Sequence, residues 1–229
     1  MKNSKRMFCA VLAVLILLSL AACGRGRKEE TISEDDVAAL AQGRLDAMYK
    51  GEVSETYLKL LGLSEDDVRQ AYEENLRINA EFFAIYFDID YLTDDGKAEL
   101  VEFFRELFAQ ASYKVGAVSQ MDDDNYVVTV EVAPIDLIQQ ISEAKDEWLA
   151  PFYAKYNGVD FDAMSETEYK AADAEWAGYI LDLAKDKLTS LSYLEAENMG
   201  VQVSRTEDGG WSVVDDSIHR IDEFILIFP

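Results

Sequence analysis

The chain is 229 residues long and carries 21 Lys and Arg against 45 Asp and Glu, with one His and a formal net charge of −24 at pH 7. Hydrophobic residues make up 49% of it, enough for a packed core, so an acidic disordered polymer is excluded. Nucleic acid is excluded as a partner, because releasing phosphate counterions takes a surplus of Lys and Arg, and a single His removes most His-dependent catalysis and His-built metal sites.

The first segment reads as a leader. Lys2, Lys5 and Arg6 form a basic start, followed by an uncharged run from Met7 to Ala22. At 16 residues this run falls short of the ~20 that a membrane-spanning helix needs. It fits a secretory signal peptide with small residues, Ala21 and Ala22, before the cut; an uncut signal anchor is the alternative. The stretch Leu18-Ser19-Leu20-Ala21-Ala22-Cys23-Gly24 resembles the lipobox of bacterial lipoproteins. That resemblance implies that residues 1–22 are removed and that the Cys23 thiol is lipidated, so that residues 23–32 become a basic tether at the outer side of the cell membrane. Cys9 then leaves with the leader, and residues 24–229 hold no Cys, so the body depends on packing and not on a disulfide. Each buried CH₂ of an acyl chain contributes about 0.8 kcal/mol. Arg25, Arg27 and Lys28, beside anionic headgroups, add about 1 kcal/mol each. Six of the 21 bases and none of the 45 acids lie before residue 29, so residues 29–229 carry 45 acids against 15 bases, a net of −30. A basic stem thus meets the membrane while an acidic body stands off from it.

Residues 33–229 read as a single α+β domain. Ser33-Glu34-Asp35-Asp36 marks a helix start, with a capping hydroxyl and acids at the positive helix end. Ser64-Glu65-Asp66-Asp67 repeats the signal ahead of a helix over 65–88, where Leu76, Phe83 and Phe87 share one face with Phe82 and Tyr86 alongside. A third helix begins near Thr93 and runs to about Gln110, carrying Leu100, Phe103, Phe104, Leu107 and Phe108; both aromatic stripes read as core. The period then drops to two. Tyr113, Val115 and Ala117 alternate with Lys114 and Gly116, and Tyr126, Val128, Val130 and Val132 alternate with Val127, Thr129 and Glu131. Met121–Asn125 is the turn of this antiparallel hairpin, and Pro134 closes its second strand because it has no N–H to donate. Residues 135–157 and 165–196 return to helical spacing around a break at Asn157-Gly158, with Tyr169, Trp176, Ile180, Leu183, Leu191 and Leu194 as an inward stripe. A second hairpin joins Val201 and Val203 to Trp211 and Val213 through Asp208-Gly209-Gly210. The end, Ser217–Phe228, reads as a helix, with a strand over Phe224–Phe228 as the alternative.

The expected architecture is helix-rich α+β: two antiparallel hairpins forming a four-stranded curved sheet packed against helices, with a helical pair inserted between the hairpins. The stretches Tyr126–Pro134 and Glu207–Asp215 resemble surface lipoproteins of Gram-positive bacteria that carry a cystatin-like domain of the nuclear-transport-factor-two type. That resemblance implies a curved sheet around a helix.

Catalytic patterns are absent from the sequence. There is no Gly-x-Ser-x-Gly elbow, phosphate loop or dinucleotide glycine fingerprint, and His219 has no Cys nucleophile in the mature chain. His219 lies among Asp215, Asp216 and Arg220 and reads as a solvated surface residue. Asp88–Gly96 fails as a calcium loop, because Leu92 and Thr93 stand where a ligand and a glycine are needed. Asp122, Asp123 and Asp124 crowd one turn and are candidates for sharing a cation, or else a solvated polar turn. With 45 acids some pair will meet the spacing of a two-carboxylate hydrolase by chance, so no catalytic residue is named. The expectation is a non-enzymatic binding or interaction module without a cofactor, held at the membrane by the lipid on Cys23. Its partner is an unknown small ligand or cell-surface protein. The alternatives are an acid-dependent hydrolase of envelope glycan and an extracellular cation-binding protein.

Overall fold

A computed structural model describes residues 32–229; the leader, Cys23 and most of the tether lie outside the described residues. The fold is α+β, and the chain forms two compact units, each built from separate segments. Among the described residues no helix is long and apolar enough to cross a membrane.

The first unit contains the sheet. Helix α1, Glu34–Leu45, starts where Ser33 Oγ accepts the Asp36 N–H at 3.1 Å, and it buries Val37, Leu40, Ala41 and Leu45. It runs on into a π-helical turn, Asp46–Lys50, stopped by Gly51 in the left-handed region at φ 65°. Helix α2, Glu55–Leu61, is capped by Ser54 and presses Tyr57 against α1, where a Cβ on Gly43 would lie 2.5 Å from the tyrosine ring. Strand β1, Ser112–Asp122, and β2, Asn125–Ala133, pair antiparallel; β3, Glu197–Arg205, and β4, Trp211–Val213, form the second hairpin. The two hairpins join through β2 and β3, from Asn125 opposite Ser204 to Val132 opposite Glu197, so the sheet order is β1-β2-β3-β4. Val128, Val130, Val132, Val201 and Val203 are fully buried, and α1 packs against all four strands while helix α8, Asp215–Ile225, packs on β2 and β3. This is the alternation of a sheet covered on one face.

The alternation expected for β1 fails midway. A bulge between Val115 and Val118 leaves Ala117 exposed and turns Val118 inward. An extra residue on one strand shifts every later side chain to the other face. The turn of the second hairpin uses Gly209 at φ 82°, as the Gly-Gly pair foretold.

The second unit includes the later part of helix α3, Glu65–Tyr86, and most of α4, Asp94–Phe108. Phe83 sits 4.6 Å from Phe87, 5.8 Å from Phe103 and 5.9 Å from Phe104 between ring centroids, and all four are buried, so these residues are core, whereas Phe82 alongside them is exposed. The helix expected over 135–157 is two helices, α5 Leu137–Trp148 and α6 Ala150–Lys155. Pro151 divides them, since it has no N–H for a carbonyl of the preceding turn and fits a helical first turn instead. Helix α7, Glu166–Leu188, opens with a full capping box between Ser165 and Glu168. It ends well before residue 196. Leu194 is exposed, and the chain after Ser190 is held in extended form: Tyr193 bridges Ile135, Asp136 N–H donates to Ser192 C=O, and Ser192 Oγ donates to the Asp136 carboxylate at 2.8 Å. Side-chain and long-range hydrogen bonds there replace the local helical ones. At the C-terminal end both expectations have a part: α8 runs to Ile225, and Leu226 makes a parallel bridge with Ile135.

Candidate functional site

Two groupings of chemically capable side chains stand out, one in each unit. In the first unit, the π-turn places Asp46, Tyr49 and Lys50 where a regular helix would have spread them differently; π-turns recur at functional positions. Tyr113 Oη donates to Asp46 Oδ1 at 2.7 Å, Gln42 Nε2 donates to the same oxygen at 2.9 Å, and the Lys50 ammonium lies 4.7 Å over the Tyr113 ring. Tyr49 Oη donates to Asp222 Oδ1 at 3.4 Å, and Arg44, nearly fully buried, pairs with Asp215 at 3.3 Å. Burial first, then the Asp222 charge, pushes the Tyr49 hydroxyl well above its usual range, and burial likewise raises Tyr57 and Tyr113. Burial raises Asp222 to about 6 despite the opposing pull of His219, Tyr49 and Arg44, and it raises Asp215 against Arg44. Tyr49 has no exposed surface while Asp46, Tyr113, Asp215 and Asp222 are half-buried, and the network links α1 and its π-turn to β1 and α8.

In the second unit the aromatic residues of α6, α7 and the segment between them form a cluster around the buried Phe152. Phe152 contacts Tyr156 at 4.6 Å, Trp176 at 5.3 Å, and Tyr153 and Tyr179 at 6.3 Å each, and Phe161 lies 5.6 Å from Tyr156. Several rings are fixed from behind: Trp176 Nε1 donates to the Phe87 carbonyl at 2.8 Å, and Tyr156 Oη donates to Glu175 at 3.0 Å. Lys155 also pairs with Glu175, which raises the amine and lowers the carboxyl. Others remain open to solvent, Tyr153 at 45% and Phe161 at 37%, and Trp148 at the end of α5 is 39% exposed. In the same unit Asp173, buried, accepts the N–H groups of Asp90 and Tyr91 at 3.0 and 2.6 Å. Those bonds hold a loop in which Asp88 takes φ 54° and Tyr91 stays exposed, 5.9 Å from Tyr169 and 4.9 Å beneath the Lys170 ammonium. Tyr169 Oη donates to Asp90 at 2.7 Å, and that bond, with some burial, raises its hydroxyl to about 12.

The residues singled out from the sequence fall elsewhere. Cys23 lies outside the described residues. Asp122 accepts the Asp124 N–H at 2.9 Å and the Asn125 amide at 2.8 Å, which lowers its carboxyl, and Asp124 faces Arg205 at 2.8 Å. Asp123 is exposed at the tip of the turn. Among the described residues no group of three or more His, Cys, Asp and Glu is arranged to hold a metal ion. His219 is half-buried on α8 and pairs with Glu223 at 3.3 Å, so it is less solvated than expected. Sequence reasoning missed the aromatic face. The signal was present: Trp148, Phe152, Tyr153, Tyr156 and Phe161 crowd a short stretch that has no single helical period.

No protein-family model matches this chain, and no curated protein matches it either. Among solved structures, the fold is similar to that of ycdA from Bacillus subtilis, a candidate lipoprotein, with a TM-score of 0.56 and 13% identity. The match covers 84% of this chain and 56% of that one, so the chain corresponds to little more than half of its structural relative. At this identity the likeness carries the fold.

Proposed function

We propose that this protein is a lipid-tethered binding module on the outer side of a bacterial cell membrane, engaging its partner through the aromatic face of the second unit and performing no reaction. The observation that carries the reading is the ring cluster itself: Tyr156 is fixed by Glu175 and Trp176 by the Phe87 carbonyl, while Tyr153 and Phe161 are left open. Exposed aromatic clusters rimmed by polar groups are interaction surfaces, and ordered rings add contact area at small entropic cost. The lipobox ending at Cys23 supplies the tether, and the basic residues after it suit an anionic surface. The fold shared with a candidate lipoprotein supports the assignment, and α1 lying against all four strands supports the cystatin-like reading of the first unit. Tyr49 and Arg44 are buried, and the Asp122 and Asp124 carboxylates have protein donors, so neither grouping favours the hydrolase or cation-binding alternative.

Metabolic labelling with a fatty acid in a bacterial host tests the tether: the chain is expected to take up label and Cys23→Ala to lose it. Label retained by the variant overturns the anchor. Reproducible turnover of cell-wall glycan or peptide by the purified protein overturns the non-enzymatic reading.

A further inference from the structure

The Asn157-Gly158 break between α6 and α7 carries a chemistry of its own. A glycine that follows Asn or Asp leaves its backbone nitrogen open to the side-chain carbonyl before it, because it has no Cβ to shield that nitrogen. Three such pairs occur in the chain: Asp95-Gly96, Asn157-Gly158 and Asp208-Gly209. The structure separates them by what holds the glycine N–H. In the first turn of α4, the Gly96 N–H donates to Thr93 Oγ1 at 3.0 Å. In the second hairpin, the Gly209 N–H donates to the Thr206 carbonyl at 2.9 Å. Thr206 Oγ1 also donates to Asp208, which lowers its carboxyl and keeps it a carboxylate, a poor centre for attack. A bonded N–H must give up its partner before the nitrogen can attack.

Gly158 differs on each count. The Val159 N–H donates to the Tyr156 carbonyl at 3.1 Å, which closes a turn with Asn157 and Gly158 as its central residues. Among the described residues nothing accepts the Gly158 N–H and nothing bonds the Asn157 amide. Both residues are exposed, and a Cβ on Gly158, at φ 76°, would meet no atom within 4 Å, so a ring formed there has room.

We infer that Asn157 is a site of spontaneous deamidation, selected by the fold from the three pairs. The Gly158 nitrogen loses its proton to water and attacks Asn157 Cγ. The N–Cγ bond forms, the Cγ–Nδ2 bond breaks, and ammonia leaves with that proton, closing a succinimide ring. Water then opens the ring. Breaking the N–Cγ bond restores the ordinary backbone with a carboxylate on residue 157. Breaking the bond to the main-chain carbonyl carbon leaves an isoaspartyl link, with one more carbon in the backbone. In sum an amide and water become a carboxylate and ammonium, with no oxidant and no enzyme. Either product places a new negative charge between Tyr156 and Phe161, whose rings lie 5.6 Å apart, and the isoaspartyl link lengthens the chain that joins them. The step does not depend on what the ring cluster binds.

The test incubates the full chain, purified in detergent, in warm and mildly alkaline buffer, once folded and once in urea. Peptide mass spectrometry follows the mass gain at Asn157, and isoaspartyl methyltransferase labelling follows all three pairs. The tryptic peptide Tyr156–Lys170 holds no other side-chain amide, so a gain in it belongs to Asn157. Dividing each folded rate by the unfolded rate removes the intrinsic difference between Asn and Asp. The ratio at Asn157 is expected to stay within about threefold of unity, while those at Asp95 and Asp208 fall roughly tenfold or more below it. A ratio at Asn157 equal to or below either of the others overturns the inference, because the fold then protects this turn as well. Asn157→Gln, whose longer side chain must close a larger ring, is expected to keep its mass over the same period. A gain as fast as in the natural chain overturns the succinimide route.

Discussion

Asp222 shows how a single side chain is set by its surroundings. Burial raises its carboxyl from the ordinary value of 3.8 to about 6, so the folded state holds its proton more tightly than the unfolded chain does. The contribution to stability is therefore greatest below about pH 4 and is lost as pH rises from there through about 6. Asp222→Asn, which keeps an acceptor for Tyr49 without the charge, should raise stability at pH 7.5 by about 1–3 kcal/mol and change it little near pH 3.5. Urea unfolding at the two pH values checks this; an equal shift at both would mean that packing and not charge is responsible. Gly43 presents the opposite case, fixed by space. A methyl group at this position meets the Tyr57 ring at 2.5 Å, so Gly43→Ala should lose about 1–3 kcal/mol in the same assay despite the better helix propensity of alanine.

At the scale of elements, capping signals written into the sequence are the ones the structure uses. Ser33, Ser64 and Ser165 each accept a first-turn N–H, and Ser165 adds the reciprocal bond from Glu168. Ser165→Ala removes both bonds of that box and should lower stability by about 1 kcal/mol, with exchange of the first amides of α7 accelerated by hydrogen–deuterium measurement. The starts of helices were legible because a cap is a local interaction. The ends were not: α7 stops at Leu188 because Asp136 and Ile135, far away in sequence, capture Ser192 and Tyr193. The bulge in β1 escaped for a related reason, since Ala117 and Val118 are both compatible with an inward position and pairing with β2 selects between them.

For the whole molecule, charge is the dominant property. A net of −24 on one chain repels itself, so raising sodium chloride from low to physiological levels should raise the melting temperature, checked by calorimetry with a neutral osmolyte as control. The sequence alone determined the acidic character, the α+β class, and the place of the two hairpins among the longer helices, though not the short helix Glu55–Leu61. Each of these follows from composition, or from periods and caps that act over a few residues. Only the tertiary structure decided that β2 pairs with β3 across the inserted helices and that α1 spans all four strands, because such pairings join residues distant along the chain. It also decided which aromatic residues are core and which form a surface. Phe83 and Phe104 are buried while Trp148 and Tyr153 are open, although all are large apolar rings on or beside helices. That distinction depends on which face finds a partner in space, and a helical period shows only that a face exists.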